Sequence, residues 1–432
     1  MKRIVIIHYH LNPGGVTRII ESQIKSLKDN DVSRDILVIT GHCNNPFQIK
    51  SLGAEIIINE KLNYLTDSNI DLKAEFNSIS DFLDRHIKRG DIVHVHNLNL
   101  GKNPLLTLAI SDFAHRGYLI LNHAHDFAED RNQNWTFLKS IVEDEFGKDL
   151  SEILYSDLPN FLHATLNSYD LRRLIDYGLQ NRKVFLLPNP VSFIQKPGKP
   201  AGAELKVKIC KQLNLDSDRV LVSYPVRVIR RKNIGEFILL AALFSEQANW
   251  LVTQPPKNPV EIVPYEEWKE FCKKENINLV FEAGVKTDFE ELLYASDFCI
   301  TTSTKEGFGM VYLEPWLFST PVIGRDLPQI TEDIKNSGIE FPLLYEEIRV
   351  NIDGQPLEFS SLSDDDQRAC IAGILNNQED KNIMMTENSF LENLLNFKDE
   401  RMIEKNKSII RKEYSLQNYA KRLEKIYQKF TG

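Results

Sequence analysis

The sequence predicts an α/β fold of two domains, each built on a parallel sheet. Three observations carry this reading. Short apolar runs alternate with amphipathic helical stretches almost from end to end, as in sheets whose crossovers are helices. The runs form two series separated by Pro188-Asn-Pro190 and Pro197-Gly-Lys-Pro-Ala-Gly202, and proline with glycine punctuates domains. The length, 432 residues, suits two or three domains.

In the first series the apolar runs 3–8, 34–40, 55–58, 92–96, 118–122, 161–164 and 184–187 read as buried strands. Between the first two, Val16, Ile19, Ile20, Ile24 and Leu27 fall on one face of a helix. The second series has strands at 220–226, 249–253, 280–282, 297–301 and 321–323, with a helix starting at 310 and running to 318. Residues 339–365 fit neither pattern and read as an insertion, while 405–430 are charged and helical in pattern. The expected domains are 1–190 and 191–400, followed by a helical segment over 401–432.

Composition excludes several classes. Hydrophobic residues make up 42% and charged residues 26%, as in a soluble globular enzyme, and no apolar run is long enough to span a membrane. Met1-Lys-Arg-Ile-Val-Ile-Ile7 resembles a signal peptide only briefly, since His8, His10 and Asn12 interrupt it. Cys43, Cys210, Cys272, Cys299 and Cys370 are scattered, which argues for reduced thiols in a cytoplasm. A net charge of −9 argues against nucleic acid as a partner.

Within this frame a few motifs carry chemistry. Glu306-Gly-Phe-Gly-Met-Val-Tyr-Leu-Glu314 follows a strand. Its glycines leave backbone N–H groups bare at a helix start, which suits phosphate, while a carboxylate suits sugar hydroxyls. Phosphate beside polyol describes a nucleotide sugar. Arg227-Val-Ile-Arg-Arg-Lys232 also follows a strand, where cations can neutralise a diphosphate leaving group. Asn12-Pro-Gly-Gly15 lets backbone approach a ligand but is neither Gly-x-Gly-x-x-Gly nor a P-loop. Leu121-Asn-His-Ala-His-Asp126 ends a strand where open α/β sheets place ligands, so His125 or His123 can meet a sugar hydroxyl or assist a proton transfer. The His-x-His pairs at 8/10, 94/96 and 123/125 more simply line the rim of one sheet than hold a metal.

Together these residues resemble the retaining GT-B glycosyltransferases of family 4, the glycosyl transferases group 1, over almost the whole chain. The resemblance rests on Gly14-Gly15, Pro188-Asn-Pro-Val191, Arg227 with Lys232-Asn233, Phe281-Glu-Ala-Gly284 with Leu292-Leu-Tyr-Ala-Ser-Asp297, and Glu306 with Glu314. It implies two Rossmann-like domains facing across a cleft, the first for acceptor and the second for the nucleotide-sugar donor, with the C-terminal helical segment packing back on the first. It further implies that Gly14, Gly15, Arg227 and Lys232 bind the donor diphosphate. Glu306 and the N–H groups of Phe308, Gly309 and Met310 would hold the donor sugar, with Gly307 and Val311 in the same loop. Glu314 would bind the ribose and the backbone around Val285 the base, and His125, which directly precedes Asp126, is the better match for the active-site histidine, with His123 as the fallback. The chain departs from the family at Pro315, Ser319 and Arg325-Asp-Leu-Pro-Gln329, which bears on the shape of the sugar pocket.

The implied reaction is retaining hexosyl transfer from a donor of the UDP-glucose or GDP-mannose type. Arg227, Lys232 and backbone dipoles replace a metal, and no cofactor is required. Asp126, Arg131, Asn134 and Trp135, polar and aromatic, are the acceptor candidates, for a small polar acceptor such as a sugar or hydroxy acid. Alternatives are a sugar-nucleotide epimerase of the same fold and a non-catalytic sugar-nucleotide-binding protein. Arg18, Lys25 and Lys28 are too few for firm membrane anchoring, so a cytoplasmic enzyme is expected.

Overall fold

A computed structural model describes residues 2–30, 34–66, 70–191, 202–352, 354–397 and 399–430; residues 197–201 of the expected linker lie outside them. Among the described residues the first sheet has strands β1 (Ile4–His8), β2 (Ile36–Thr40), β3 (Glu55–Ile58), β4 (Ile92–His96), β5 (Leu119–Ala124), β6 (Phe161–Thr165) and β7 (Val184–Leu186). Their order is β3-β2-β1-β4-β5-β6-β7, and every pairing is parallel. β1, β2, β4 and β6 are buried at every residue, which is why they read as continuous apolar runs and not as alternation.

Each face of this sheet is covered. On one, helix Gly15–Asp29 lays Ile20, Ile24 and Leu27 against Ile4, Ile6 and Val38. Helix Leu416–Gln428 adds Tyr419, Leu423, Ile426 and Tyr427 to the same cluster. On the other, Leu105, Leu106, Ala109 and Phe113 of helix Pro104–His115 pack with Val5, Ile7 and Val93.

The second sheet contains β8 (Val220–Arg227), β9 (Ala248–Gln254), β10 (Leu279–Val280), β11 (Phe298–Thr301), β12 (Val322–Arg325) and β13 (Leu344–Tyr345). Its order, β10-β9-β8-β11-β12-β13, repeats the first plan and is again parallel. Both sheets reverse their strand order at one point, beside β1/β4 and beside β8/β11. Open α/β sheets bind ligands at the carboxyl ends of strands at such a point.

Four expectations need correction. The segment 339–365 is not only an insertion: it contributes β13 to the sheet and a hairpin of β14 (Arg349–Ile352) and β15 (Gln355–Glu358). The expected strand 280–282 stops at Val280, because Glu282 takes a left-handed conformation with φ 63°. The expected helix 310–318 is a 3-10 turn, Met310–Tyr312, then the short helix Glu314–Leu317 with Pro315 in its first turn. The chain divides into two compact units, 1–192 with 412–432, and 193–411. The second division falls at 411/412 instead of 400/401. Within helix Glu400–Glu413, Asn406 Nδ2 donates to the Glu340 carbonyl at 2.7 Å and Asn406 Oδ1 accepts from the Glu340 N–H at 3.1 Å, which ties this stretch to the second unit.

Candidate active site

In the second unit, β8 ends at Arg227 and a 3-10 turn, Arg230–Lys232, follows. Asn233 then takes a left-handed conformation, φ 55°, and starts the wholly buried helix Ile234–Leu243. The loop after β11 closes on this turn. Thr302 Oγ1 donates to the Lys232 or Asn233 carbonyl, 3.0 and 2.9 Å away, and the Thr304 N–H donates to the Arg231 carbonyl at 2.9 Å. The buried Tyr224 hydroxyl donates to the Lys232 carbonyl as well. The basic turn is thereby fixed from below.

Above it, Lys232 Nζ pairs with Glu306 Oε1, and Arg231 Nη1 lies 3.1 Å from Glu306 Oε2. The Glu306 side chain is only 7% exposed, so an unpaired carboxylate here would be costly. Burial opposes its charge, but Lys232 and Arg231 outweigh burial and hold its pKa below the usual carboxylate value. Burial also lowers the Lys232 pKa, against the pull of Glu306. Arg227 Nε is buried and has no hydrogen-bond partner among the described residues. An orphaned guanidinium N–H beside a basic turn is chemically suited to an anionic oxygen.

The glycine loop continues through Gly307, Phe308, Gly309, Met310 and Val311. Gly309 has φ 79°, and a Cβ there would stand 2.7 Å from Tyr312 Cδ2 and 2.8 Å from Ile330 Cγ2, so glycine is required. Glu314 is half-buried at the first position of helix Glu314–Leu317. Val285 is exposed on the turn Ala283–Lys286 after the edge strand β10.

In the first unit, Gly14 and Gly15 follow β1. Gly14 is extended, at φ −170°, and Gly15 opens the long helix. A Cβ on Gly14 would come no nearer than 3.7 Å to Asn12 O, and one on Gly15 would meet nothing within 4 Å. Neither the backbone nor internal packing demands glycine here, so the open space is at the helix N-terminus itself.

The strand ends hold a buried histidine row. His96 Nδ1 lies 2.9 Å from His125 Nε2, and His94 Nε2 lies 3.3 Å from His123 Nδ1. Gln23, fully buried in the first helix, stands between them: Oε1 is 2.8 Å from His96 Nε2, and Nε2 is 2.9 Å from His94 Nδ1 and 3.0 Å from the Tyr427 hydroxyl. That hydroxyl is 2.8 Å from His94 Nδ1. Burial depresses every ring: the His125 pKa falls to about 4, those of His8 and His94 to about 3, and those of His96 and His123 well below 6.5. Asn97, left-handed at φ 67°, accepts with Oδ1 from the His125 and Asp126 N–H groups at 3.1 and 2.8 Å and so shapes the end of β5.

His94, His96 and His123 each bring a ring nitrogen within 4.8 Å of the others, as a metal cluster does. However, the His94 and His96 rings are stacked, 4.6 Å apart and 9° from parallel. Imidazole lone pairs lie in the ring plane, so two parallel rings do not aim at one ion.

The acceptor candidates separate. Asp126 and Arg131 pair at 3.0 Å on the exposed side. Asn134 is buried and donates from Nδ2 to the Leu100 carbonyl at 3.1 Å, and Trp135 packs on the core; both sit in helix Asn132–Lys139, not in an open loop. The Asn134 side chain is used internally, which corrects the acceptor reading for that residue, whereas Trp135 is only partly buried. The sequence reading missed Lys102, whose Nζ stands 5.8 Å from the Tyr64 ring centre and which no carboxylate pairs among the described residues. Burial and then Arg131 lower its pKa. It also missed Gln23, although a glutamine three residues after Ile20 and four before Leu27 on the apolar face is a signal.

Comparison with known proteins places this geometry in a family. Residues 206–340 match the family model described as glycosyl transferases group 1. The mannosylglucosyl-3-phosphoglycerate synthase of Petrotoga mobilis is 31% identical over 356 residues, which cover 78% of this chain and 67% of the relative. The chain belongs to the group 1 glycosyltransferases. The mannosylglucosylglycerate synthase of the same organism is 25% identical to this glycosyltransferase over 282 residues, 58% of this chain and 63% of the relative. Among solved structures, a glycosyltransferase from Rickettsia africae has a TM-score of 0.62 at 15% identity, covering 100% of this chain and 99% of its own. Anabaena HepE in complex with UDP and glucose has 0.60 at 14%, covering 99% and 100%. These likenesses show the fold, which is GT-B. No helix among the described residues of the enzyme is long and apolar enough to cross a membrane.

Proposed function

We propose that this glycosyltransferase is a retaining, metal-independent enzyme of family 4 that moves a hexose from a UDP- or GDP-linked donor to a hydroxyl of a small polar acceptor. The observation that carries the reading is the Lys232–Glu306–Arg231 ion cluster at the β8/β11 switch point, next to the unsatisfied Arg227. Arg227, Lys232 and the N-terminus at Gly14-Gly15 take the donor diphosphate and neutralise its charge as the anomeric bond breaks. Glu306 and the N–H groups of Phe308, Gly309 and Met310 hold the donor sugar, Glu314 the ribose, and the turn at Val285 the base. His125 meets a sugar hydroxyl. The acceptor hydroxyl attacks from the face the diphosphate leaves and passes its proton to the departing phosphate oxygen, so configuration is kept and no metal is needed.

Both Petrotoga relatives are named for glycosides of glycerate, a hydroxy acid. Lys102 and Arg131 supply cations for such an acid group. A cytoplasmic enzyme acting on a glycosylated hydroxy acid is therefore our reading of the acceptor side. The test is a transfer assay pairing UDP-glucose and GDP-mannose with glucosylglycerate, its 3-phosphate and simple sugars, with and without a strong chelator. Transfer to a glycerate glycoside, within a few-fold after chelation, is the expected result. Activity lost on chelation and restored by manganese overturns the metal-free site, and an inverted product overturns retention.

A further inference from the structure

The row of bonds from Gln23 to His125 determines which nitrogen of His125 carries its proton. A neutral imidazole has one N–H and one bare nitrogen. An amide oxygen only accepts. With Gln23 Oε1 2.8 Å from His96 Nε2, the His96 proton is on Nε2, and its Nδ1 is bare. A bare Nδ1 that lies 2.9 Å from His125 Nε2 accepts a hydrogen bond from it. His125 therefore carries its proton on Nε2 and leaves Nδ1 as a lone pair. All the rings must be neutral for this logic to hold. Burial first keeps them so, repulsion from His125 adds to it at His8, His94, His96 and His123, and Asp126 is the one acidic neighbour acting on His125.

The other branch agrees with the same amide orientation. Gln23 Nε2 faces two groups that can accept, His94 Nδ1 and the Tyr427 oxygen. With His94 Nδ1 bare, His94 carries its proton on Nε2 and donates to His123 Nδ1. His123 in turn keeps its proton on Nε2, where the Leu187 backbone is its hydrogen-bonding neighbour, and the branch ends there. Half a turn of the Gln23 amide reverses the bond to His96 and, through it, the proton on His125. One buried glutamine thus decides whether the strand end offers a lone pair or an N–H.

We infer that Gln23 and His96 are positioning residues that lock His125 in the Nε2–H form, so that His125 Nδ1 acts only as an acceptor for a hydroxyl. As a statement about a substrate it rests on the proposed placement of His125 at the sugar; as a statement about the proton it does not. A sugar O–H donates to this nitrogen, and a group that can only accept, such as a fluorine or a keto oxygen in its place, is refused.

The experiment uses the full chain with 15N-labelled histidine imidazoles. The two-bond proton–nitrogen spectrum at neutral pH distinguishes the two protonation patterns, and the His125→Gln spectrum assigns the His125 signals. We expect Nε2 protonated on both His96 and His125. In Gln23→Met the His125 pattern should become averaged or reversed, with kcat down about tenfold, roughly the worth of one neutral hydrogen bond, and KM for donor little changed. His96→Gln, whose amide oxygen can take the His125 proton, should keep the pattern and most of the activity, whereas His96→Leu should lose both. Nδ1 protonation of His125 in the unmodified enzyme overturns the inference. So does a folded Gln23→Met or His96→Leu with an unchanged His125 pattern. If Gln23→Met does not fold, the unmodified spectrum and the His96 pair decide alone. Full activity of His125→Leu, which can neither accept nor donate, would remove His125 from the proposed sugar contact while leaving its tautomer as found.

Discussion

Arg227 and Lys232 are both cations after β8, yet their surroundings differ, and so must the cost of losing them. Arg227 has an orphaned Nε and no ion pair among the described residues, whereas Lys232 neutralises the buried Glu306. Arg227→Ala should leave the melting temperature near that of the unmodified enzyme while lowering kcat/KM by about 10² or more, the usual effect of removing one electrostatic donor from a developing charge. Lys232→Ala should lower kcat/KM as much and also destabilise by roughly 3 kcal/mol, because a buried carboxylate loses its closest partner. Melting curves and steady-state rates of both variants check this; equal stability losses would contradict it. The sequence made both cations legible, because a basic run placed directly after a strand is a local signal. It did not reveal the division of labour, since the partner of Lys232 lies in a different loop.

At the scale of the element, the two glycine loops make opposite demands. Gly309 is held by its φ of 79° and by Tyr312 and Ile330 pressing on the absent side chain. Gly15 has an ordinary helical place and open space in front of it. Gly309→Ala should therefore destabilise the fold itself, by about 1 kcal/mol from the backbone and more from the clash. Gly15→Ala should fold as well as the parent or slightly better, since alanine favours a helix, but bind nucleotide sugar more weakly. Thermal denaturation and donor titration of each variant separate the two, and unaltered donor affinity in Gly15→Ala would remove that loop from the donor site. The strands and the long amphipathic helices were readable because their apolar runs are local. The turns at Met310–Tyr312 and Glu314–Leu317, strand β13 and the fate of Asn134 were not. In each, contacts with distant residues override the local pattern, as the Leu100 carbonyl does for Asn134.

For the whole molecule the histidine row has a consequence in acid. His8 and His94 have pKa values near 3, and His125 and His163 near 4, all from burial first, against 6.5 in a solvated chain. The folded protein thus binds fewer protons than the unfolded chain. Its stability is complete above pH 6.5 and falls as pH drops toward 4 and 3, by about 1.4 kcal/mol per pH unit for each histidine kept neutral. The melting temperature should fall by several degrees between pH 7 and about pH 5.5, before carboxylates begin to titrate. A melting temperature constant over that range would show that the row takes up protons without unfolding. His163→Phe, which removes one buried ring from that count, should flatten the curve.

The first unit is closed by residues made after the second unit. Tyr419, Leu423, Ile426 and Tyr427 belong to its apolar cluster, and the Tyr427 hydroxyl completes the bonding of Gln23 and His94. During synthesis, the face of the sheet β1–β7 that helix Gly15–Asp29 covers only in part therefore leaves the ribosome incompletely covered, and waits for the whole second unit to be translated before helix Leu416–Gln428 completes it. For this interval the chain depends on being shielded. A message cut short before the codon for Leu416 yields a chain lacking the helix that finishes the first unit, with exposed apolar surface for chaperones and proteases to recognise.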